Sequence, residues 1–347
     1  MSNNLNRELP VPPYIELDKA GTVWKVPYQD RAAQARAWAE TYQISPANLD
    51  RFRLALVLID VQNTFCIPGY ELFVGGRSGT GAVDDNKRLC RFIYRNLHSL
   101  TKIYATMDTH FVMQIFHSVW LVDENGNHPL PYTLVTQDDV RTGRWKFNAA
   151  IGGMLGISQE YGQRHLEHYV GELAEREKFE LTIWPYHAML GGIGHAIVPT
   201  IEEAIFFHTL ARYSQPEYEI KGRNPHTEHY SALGPEVLEG PDGKTLAVKN
   251  KQLVQMVRDF DAVVIAGQAK SHCVAWTVSD LLGGLNEHDP GLARKVYLLE
   301  DCSSPVVVPG SVDYTEAAES EYQRFAEAGM HRVLSTQPLV EWPGIRT

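Results

Sequence analysis

Cysteine is scarce in this sequence. There are four in 347 residues, Cys66, Cys90, Cys273 and Cys302, with no C-x-x-C spacing between any of them. That excludes a disulfide framework and points to free thiols in a reducing cytoplasm. No apolar run reaches the roughly 20 residues that span a bilayer. The opening stretch, MSNNLNRELPVPPYIELDK, has no basic region leading into an apolar one, so no secretory signal is expected. Positive charge is also short: Lys plus Arg is 32 against 42 for Asp plus Glu, a net charge of −10 with neutral His. That is the wrong sign for a nucleic-acid or anionic-membrane partner. No internal repeat and no low-complexity tract is present. What the chain does have is apolar material. Hydrophobic residues make up 44% and charged residues 21%, enough to bury a large core and to exclude disorder as the main state.

The first 50 residues read as a peripheral N-terminal extension, because Pro10, Pro12, Pro13 and Pro27 interrupt early elements. A helix is expected over 30–42. From Leu54 the pattern changes. LALVLID (54–60), KIYATMD (102–108), YEIK (218–221), AVVIAG (262–267), KVYLLED (295–301) and HRVLST (331–336) read as strands, the first and fourth as continuous apolar runs buried on both faces. Helices are expected over 85–100, 196–211, 251–259, 273–282 and 314–328. Such alternation predicts one α/β domain over 51–347, a doubly wound, mostly parallel sheet of about six strands with helices on both faces. Between about 122 and 183 the alternation lapses, apart from a mixed-charge helix near 163–178, and that stretch reads as an insertion.

In an open α/β sheet ligands bind outside the carboxyl ends of the strands. Asp60, Asp108, His110 and Lys221 stand at such ends, and Cys273 lies just beyond the strand 262–267 where a helix begins. A thiol at a helix N-terminus is biased toward thiolate, and the backbone N–H groups of that turn suit an oxyanion. Each residue alone has a plainer reading: Cys273 as a buried structural thiol, Asp60 as a turn cap, Lys221 as a surface charge. Cys66, Cys90 and Cys302 read as structural. DTH (108–110) and WPYH (184–187) offer a carboxylate and two imidazoles that would leave open positions on Zn²⁺ or Fe²⁺. With 14 His in the chain, that spacing is weak by itself. His98, His165, His168, His208, His288 and His331 read as surface or helix-face residues.

Taken in order, VLIDVQNTF, ATMDTH, WPYH, EIKGRNPHTEHYSAL and IAGQAKSHCVAWTVSDLL resemble the nicotinamidase branch of the isochorismatase-like cysteine hydrolases. The resemblance runs from about 54 to 335, apart from 122–183. It implies the isochorismatase-like fold and an Asp60–Lys221–Cys273 triad. It also implies an oxyanion site made by the Ala269 and Cys273 amides beside a non-proline cis peptide at Gln268–Ala269. A divalent metal, zinc by default with iron or manganese as alternatives, would sit on Asp108, His110 and His187. Phe65, Trp184 and Tyr230 would stack on a flat substrate ring; their plainer reading is core packing. The implied reaction is hydrolysis of a small amide, nicotinamide to nicotinate and ammonia, through a thioester, by a cytoplasmic homo-oligomer.

The nucleophilic Cys273 separates this chain from isochorismatase itself, and the DTH and WPYH motifs separate it from the carbamoylsarcosine and biuret hydrolases. It departs from the nicotinamidase pattern after WPYH, where HAMLGGIGHAI replaces the usual Cys-Val-Gln-Gly-Thr run. The segment FVMQIFHSVW after DTH is longer than usual, and His117 within it either approaches the metal or packs. Two alternatives therefore stand beside nicotinamide: another small amide, ureido compound or carbamate as substrate, and a catalytically silent binding protein on the same fold.

Overall fold

The computed structural model describes Leu5 and residues 7–176, 178–310 and 312–345. Six strands form one sheet: β1 (Leu54–Ile59), β2 (Leu100–Asp108), β3 (Glu217–Lys221), β4 (Ala262–Gly267), β5 (Val296–Leu299) and β6 (His331–Val333), in the order β6–β5–β4–β1–β2–β3. It is the parallel α/β sheet that the alternation of strands and helices implies.

β1 and β4 are buried at every position, as their unbroken apolar runs require. Leu54, Leu56 and Leu58 pack in one cluster with Phe92 and Ile93 of α2 (Gly81–Arg95) and Phe207 of α4 (Pro199–Arg212). The alternate residues Ala55, Val57 and Ile59 turn to the opposite face. They are fully buried outside that cluster, as are Val257 of α5 (Gln252–Asp259) and Leu281 of α6 (Ala275–Asn286). A helix α7 (Thr315–Glu327) precedes β6.

The segment before β1 is not peripheral. Leu9, Ala35 and Ile44 belong to the main core cluster, and the buried Arg212 guanidinium at the end of α4 binds the Ser45 carbonyl and the Asp50 carboxylate. The prolines break early helices without keeping the segment off the core; α1 (Tyr28–Tyr42) forms beyond them and packs on α4.

The chain divides into two compact units: Met1–Met107 with Ala196–Glu219 and Lys251–Thr347, and Asp108–His195 with Ile220–Asn250. The second has its own core of Trp120, Leu166, Tyr169, Leu181 and Ile183. Its regular structure includes α3 (Gln159–Glu175) and two antiparallel strand pairs, Leu121–Val122 with Lys146–Phe147 and Leu134–Val135 with Leu181–Thr182. The expected insertion at 122–183 lies inside this unit, which begins earlier and takes in 220–250 as well. Among the described residues no helix is long and apolar enough to cross a membrane.

Candidate functional site

In the first unit, Asp60 and the Cys273 turn leave neighbouring strands together. β1 and β4 pair in parallel register up to Ile59 and Gly267, so the next residues of both strands emerge side by side. Gly267 has φ +125°, and a Cβ there would lie 2.1 Å from the Ile59 carbonyl oxygen; only glycine lets the two strand ends approach so closely. Asp60 follows at φ +45°, a left-handed conformation that Asp tolerates better than most residues. It is fully buried. The Thr106 hydroxyl accepts from the Asp60 N–H at 3.0 Å and donates to Asp60 Oδ1 at 2.5 Å, so one hydroxyl fixes both backbone and carboxylate.

Beyond Gly267 the Gln268–Ala269 peptide is cis. A π-helical turn over Lys270–Val274 follows and runs into α6. Cys273 lies in that turn and is buried, at 8% exposure. It is therefore two residues ahead of α6 and not its first residue. Ala269 N-caps the π turn, and its carbonyl accepts from the N–H groups of His272 and Val274. Phe65 lies in the short helix Asn63–Cys66, also buried at 8% exposure. Burial disfavours the thiolate at the three other cysteines: it pushes Cys66 up to about 12 and raises Cys90 and Cys302 as well.

In the second unit, ligand atoms of Asp108, His110 and His187 lie within 4.8 Å of one another, all buried. His110 Nε2 is 2.7 Å and His187 Nε2 3.6 Å from Asp108 Oδ2. His187 Nδ1 is 2.8 Å from the Pro185 carbonyl and His110 Nδ1 3.3 Å from that of Gly222. A carbonyl can only accept, so each Nδ1 donates to its carbonyl and each Nε2 is the ring atom turned toward the Asp108 carboxylate. Lys221 Nζ sits 3.1 Å from Asp108 Oδ1 and donates to the His229 carbonyl at 2.9 Å. Burial by itself would raise the Asp108 carboxyl. The charges of His110 and Lys221, with hydrogen bonds from His110 and His187, hold it well below the usual carboxylate range.

These residues fit a divalent ion. Two imidazoles anchored through their far nitrogens and one carboxylate are the donor set of Zn²⁺ and Fe²⁺ sites. His117 adds an independent sign. Its ring lies 6.0 Å from those of both His110 and His187. Its Nδ1 is held by the Val112 carbonyl at 3.1 Å, while its buried Nε2 has no hydrogen-bond partner among the described residues. Burial, then the neighbouring His187 and His110, push its pKa down to about 3, which keeps that lone pair free.

Trp184 and Tyr230 meet in the same unit. The Trp184 indole N–H donates to Glu228 Oε1 at 2.7 Å and lies 3.2 Å from the Tyr230 hydroxyl.

No family model matches the sequence, and no curated protein matches it. Solved structures do. The yeast nicotinamidase Pnc1p bound to the inhibitor nicotinaldehyde aligns with a TM-score of 0.51 at 17% identity, over 81% of this chain and 99% of that one. A nicotinamidase and pyrazinamidase of Acinetobacter baumanii aligns at 0.46 and 19% identity, over 82% and 97%. The N-carbamoylsarcosine amidase of Thermoplasma acidophilum aligns at 0.41 and 14%, over 82% and 98%. This chain has the isochorismatase-like hydrolase fold.

On that fold, the sequence-predicted residues fall into two groups. Asp60, Phe65, Ala269 and Cys273 belong to the first unit; Lys221, Asp108, His110, His187, Trp184 and Tyr230 belong to the second. Glu228 was not singled out from the sequence, where it stands two residues before Tyr230 in a loop with no period to mark it. Burial, then the nearby Glu236 charge, raises the Glu228 carboxyl well above its ordinary range. Two of the histidines read as surface or helix-face residues lie on buried helix faces. His165 on α3 donates to the His226 carbonyl and His208 on α4 to the Leu100 carbonyl, each at 2.8 Å.

Proposed function

We propose that this chain is a metal-assisted cysteine amidohydrolase that cleaves a small carboxamide, nicotinamide to nicotinate and ammonia. The observation that carries the reading is the register of β1 and β4. It brings a buried carboxylate, Asp60, and a thiol in a tight turn, Cys273, out of adjacent parallel strands at the carboxyl edge of the sheet, where such folds place their chemistry.

Asp60 takes the thiol proton and the Cys273 sulfur attacks the carboxamide carbon. The amide oxygen becomes an oxyanion on the Ala269 and Cys273 N–H groups. Asp60 returns the proton to nitrogen, the C–N bond breaks and ammonia leaves, giving a thioester. Asp60 then takes a proton from water, hydroxide adds to the thioester carbon, and the C–S bond breaks to release the acid. Lys221 completes the triad by supplying the ammonium that favours the anionic forms of its partners. Asp108, His110 and His187 hold the metal, and when bound it supplies a positive charge that orients the polar edge of the substrate. Phe65, Trp184 and Tyr230 offer the faces for a flat ring.

A second reading, hydrolysis of a different small amide or ureido compound, is favoured by Glu228. Its buried carboxyl beside Trp184 and Tyr230 offers a polar partner to a substrate richer in N–H groups than nicotinamide. The test is ammonia release by purified, zinc-loaded protein from nicotinamide and from a panel of small amides and ureas. Release from nicotinamide that Cys273→Ala abolishes supports the first reading. Release only from another amide supports the second, and release from none removes the hydrolase reading.

A further inference from the structure

The turn that holds Cys273 is tied to α2 by one buried carboxylate that the reaction above does not use. Asp85, 2% exposed in the first turns of α2, accepts from Arg88 Nη2 on Oδ1 at 2.7 Å and from Gln268 Nε2 on Oδ2 at 2.9 Å. Gln268 is the residue just before Ala269. Its N–H donates to the Ile59 carbonyl at 2.8 Å, next to Asp60. Its side-chain Oε1 faces the Ser304 N–H at 3.4 Å, and the Ser304 carbonyl accepts from the Lys270 N–H at 2.8 Å. Arg88 in turn donates to the Asp301 carbonyl.

We propose that Asp85 is a positioning residue for the Cys273 turn, acting through Gln268. This deepens the cysteine-hydrolase reading and rests on it. The physical basis is the donor and acceptor inventory. A side-chain amide has one accepting and one donating end and can be flipped. An ionised carboxylate only accepts, so it forces the Gln268 NH₂ toward α2 and the Gln268 oxygen toward the Ser304 N–H. One orientation of that amide then fixes the start of the turn on one side and the β5 exit loop on the other. A neutral asparagine at 85 would permit both orientations. A second layer of this kind is what holds a reacting group within the tolerance that chemistry needs.

The test uses Asp85→Asn, Gln268→Glu and the double exchange, in the full-length protein. The first readout is the rate of Cys273 carbamidomethylation by iodoacetamide, followed by peptide mass, which needs no substrate. The second is kcat and KM on the amide that the wild-type protein hydrolyses, and the third is the urea midpoint. Each single variant is expected to lose about 100-fold in kcat, with a parallel fall in alkylation rate and little change in KM, the scale of a reacting group displaced by about 1 Å. The double exchange is expected to recover most of both rates, because one carboxylate and one amide again face each other. Asp85→Asn with wild-type alkylation and kcat but a lowered urea midpoint would overturn the proposal, as would a folded double variant no faster than the singles. Should Asp85→Asn not fold, Gln268→Asn, which shortens the arm by one methylene, is read in the same way. Failure of the wild-type protein to hydrolyse any amide would count against the hydrolase reading alone, since the alkylation rates still decide the role of Asp85.

Discussion

Gly222→Ala is the substitution whose effect follows most directly from the coordinates. Gly222 has φ +82°, and a Cβ at that position would lie 2.7 Å from His110 Cε1, 2.9 Å from Asp108 Oδ1 and 3.0 Å from His110 Nδ1. Two costs add. A non-glycine residue in left-handed backbone costs about 1–2 kcal/mol. The contacts cost more, because neither neighbour is free to retreat: Lys221 and His110 both bind the Asp108 carboxylate. Together they amount to about 2–4 kcal/mol of stability. Moving either ligand also loosens the ion site, by about 10- to 100-fold in metal affinity. Gly126→Ala is the matched control. Gly126 lies in the same unit with φ +82° and nothing within 4 Å of its would-be Cβ, so it carries the backbone strain alone. Zinc competition against a chromophoric chelator and urea unfolding of the two variants separate the terms. Gly126→Ala is expected to bind zinc as the wild type does. Equal zinc affinity in Gly222→Ala would refute the assignment of this pocket as the ion site.

Two further substitutions test the frame around the site. Burial pushes His208 down to about 4, so the folded protein holds it neutral while the unfolded chain protonates it near its ordinary value of about 6.5. Its contribution is intact above pH 6.5 and is lost as pH falls from there through 4, about 3 kcal/mol in all. His208→Gln should flatten urea stability over that range by about this amount, and an unchanged pH dependence would contradict the burial argument. Arg212→Met removes the guanidinium paired with the buried Asp50 carboxylate and should cost about 3–5 kcal/mol in urea unfolding; a loss under about 1 kcal/mol would show that the pair is not sealed from water.

The sequence made the sheet readable because its central strands advertise themselves. LALVLI and AVVIAG are unbroken apolar runs, each closed by a small or acidic residue, and a parallel sheet is the structure that buries such runs on both faces. The same feature put Asp60 and Cys273 at the strand ends. The second unit was harder. Its strands, such as Leu121–Val122 and Leu134–Val135, are two residues long, too short to show any period. The candidate metal ligands were visible as DTH and WPYH, but His117 was not decided by spacing, since its place depends on how 111–117 folds back. Leu9 and Ile44 were hidden for a related reason: proline-rich composition reports broken helices, not whether isolated apolar side chains reach a core. Asp85 was invisible because its partner, Gln268, is 183 residues away in sequence.

The most direct test of the account is rapid-quench mass spectrometry of the zinc-loaded protein during turnover of nicotinamide. The account predicts a transient acyl adduct on the peptide bearing Cys273, absent from Cys273→Ala and formed more slowly in Asp60→Asn. Ammonia release at the wild-type rate by Cys273→Ala, with no adduct on any peptide, would contradict it.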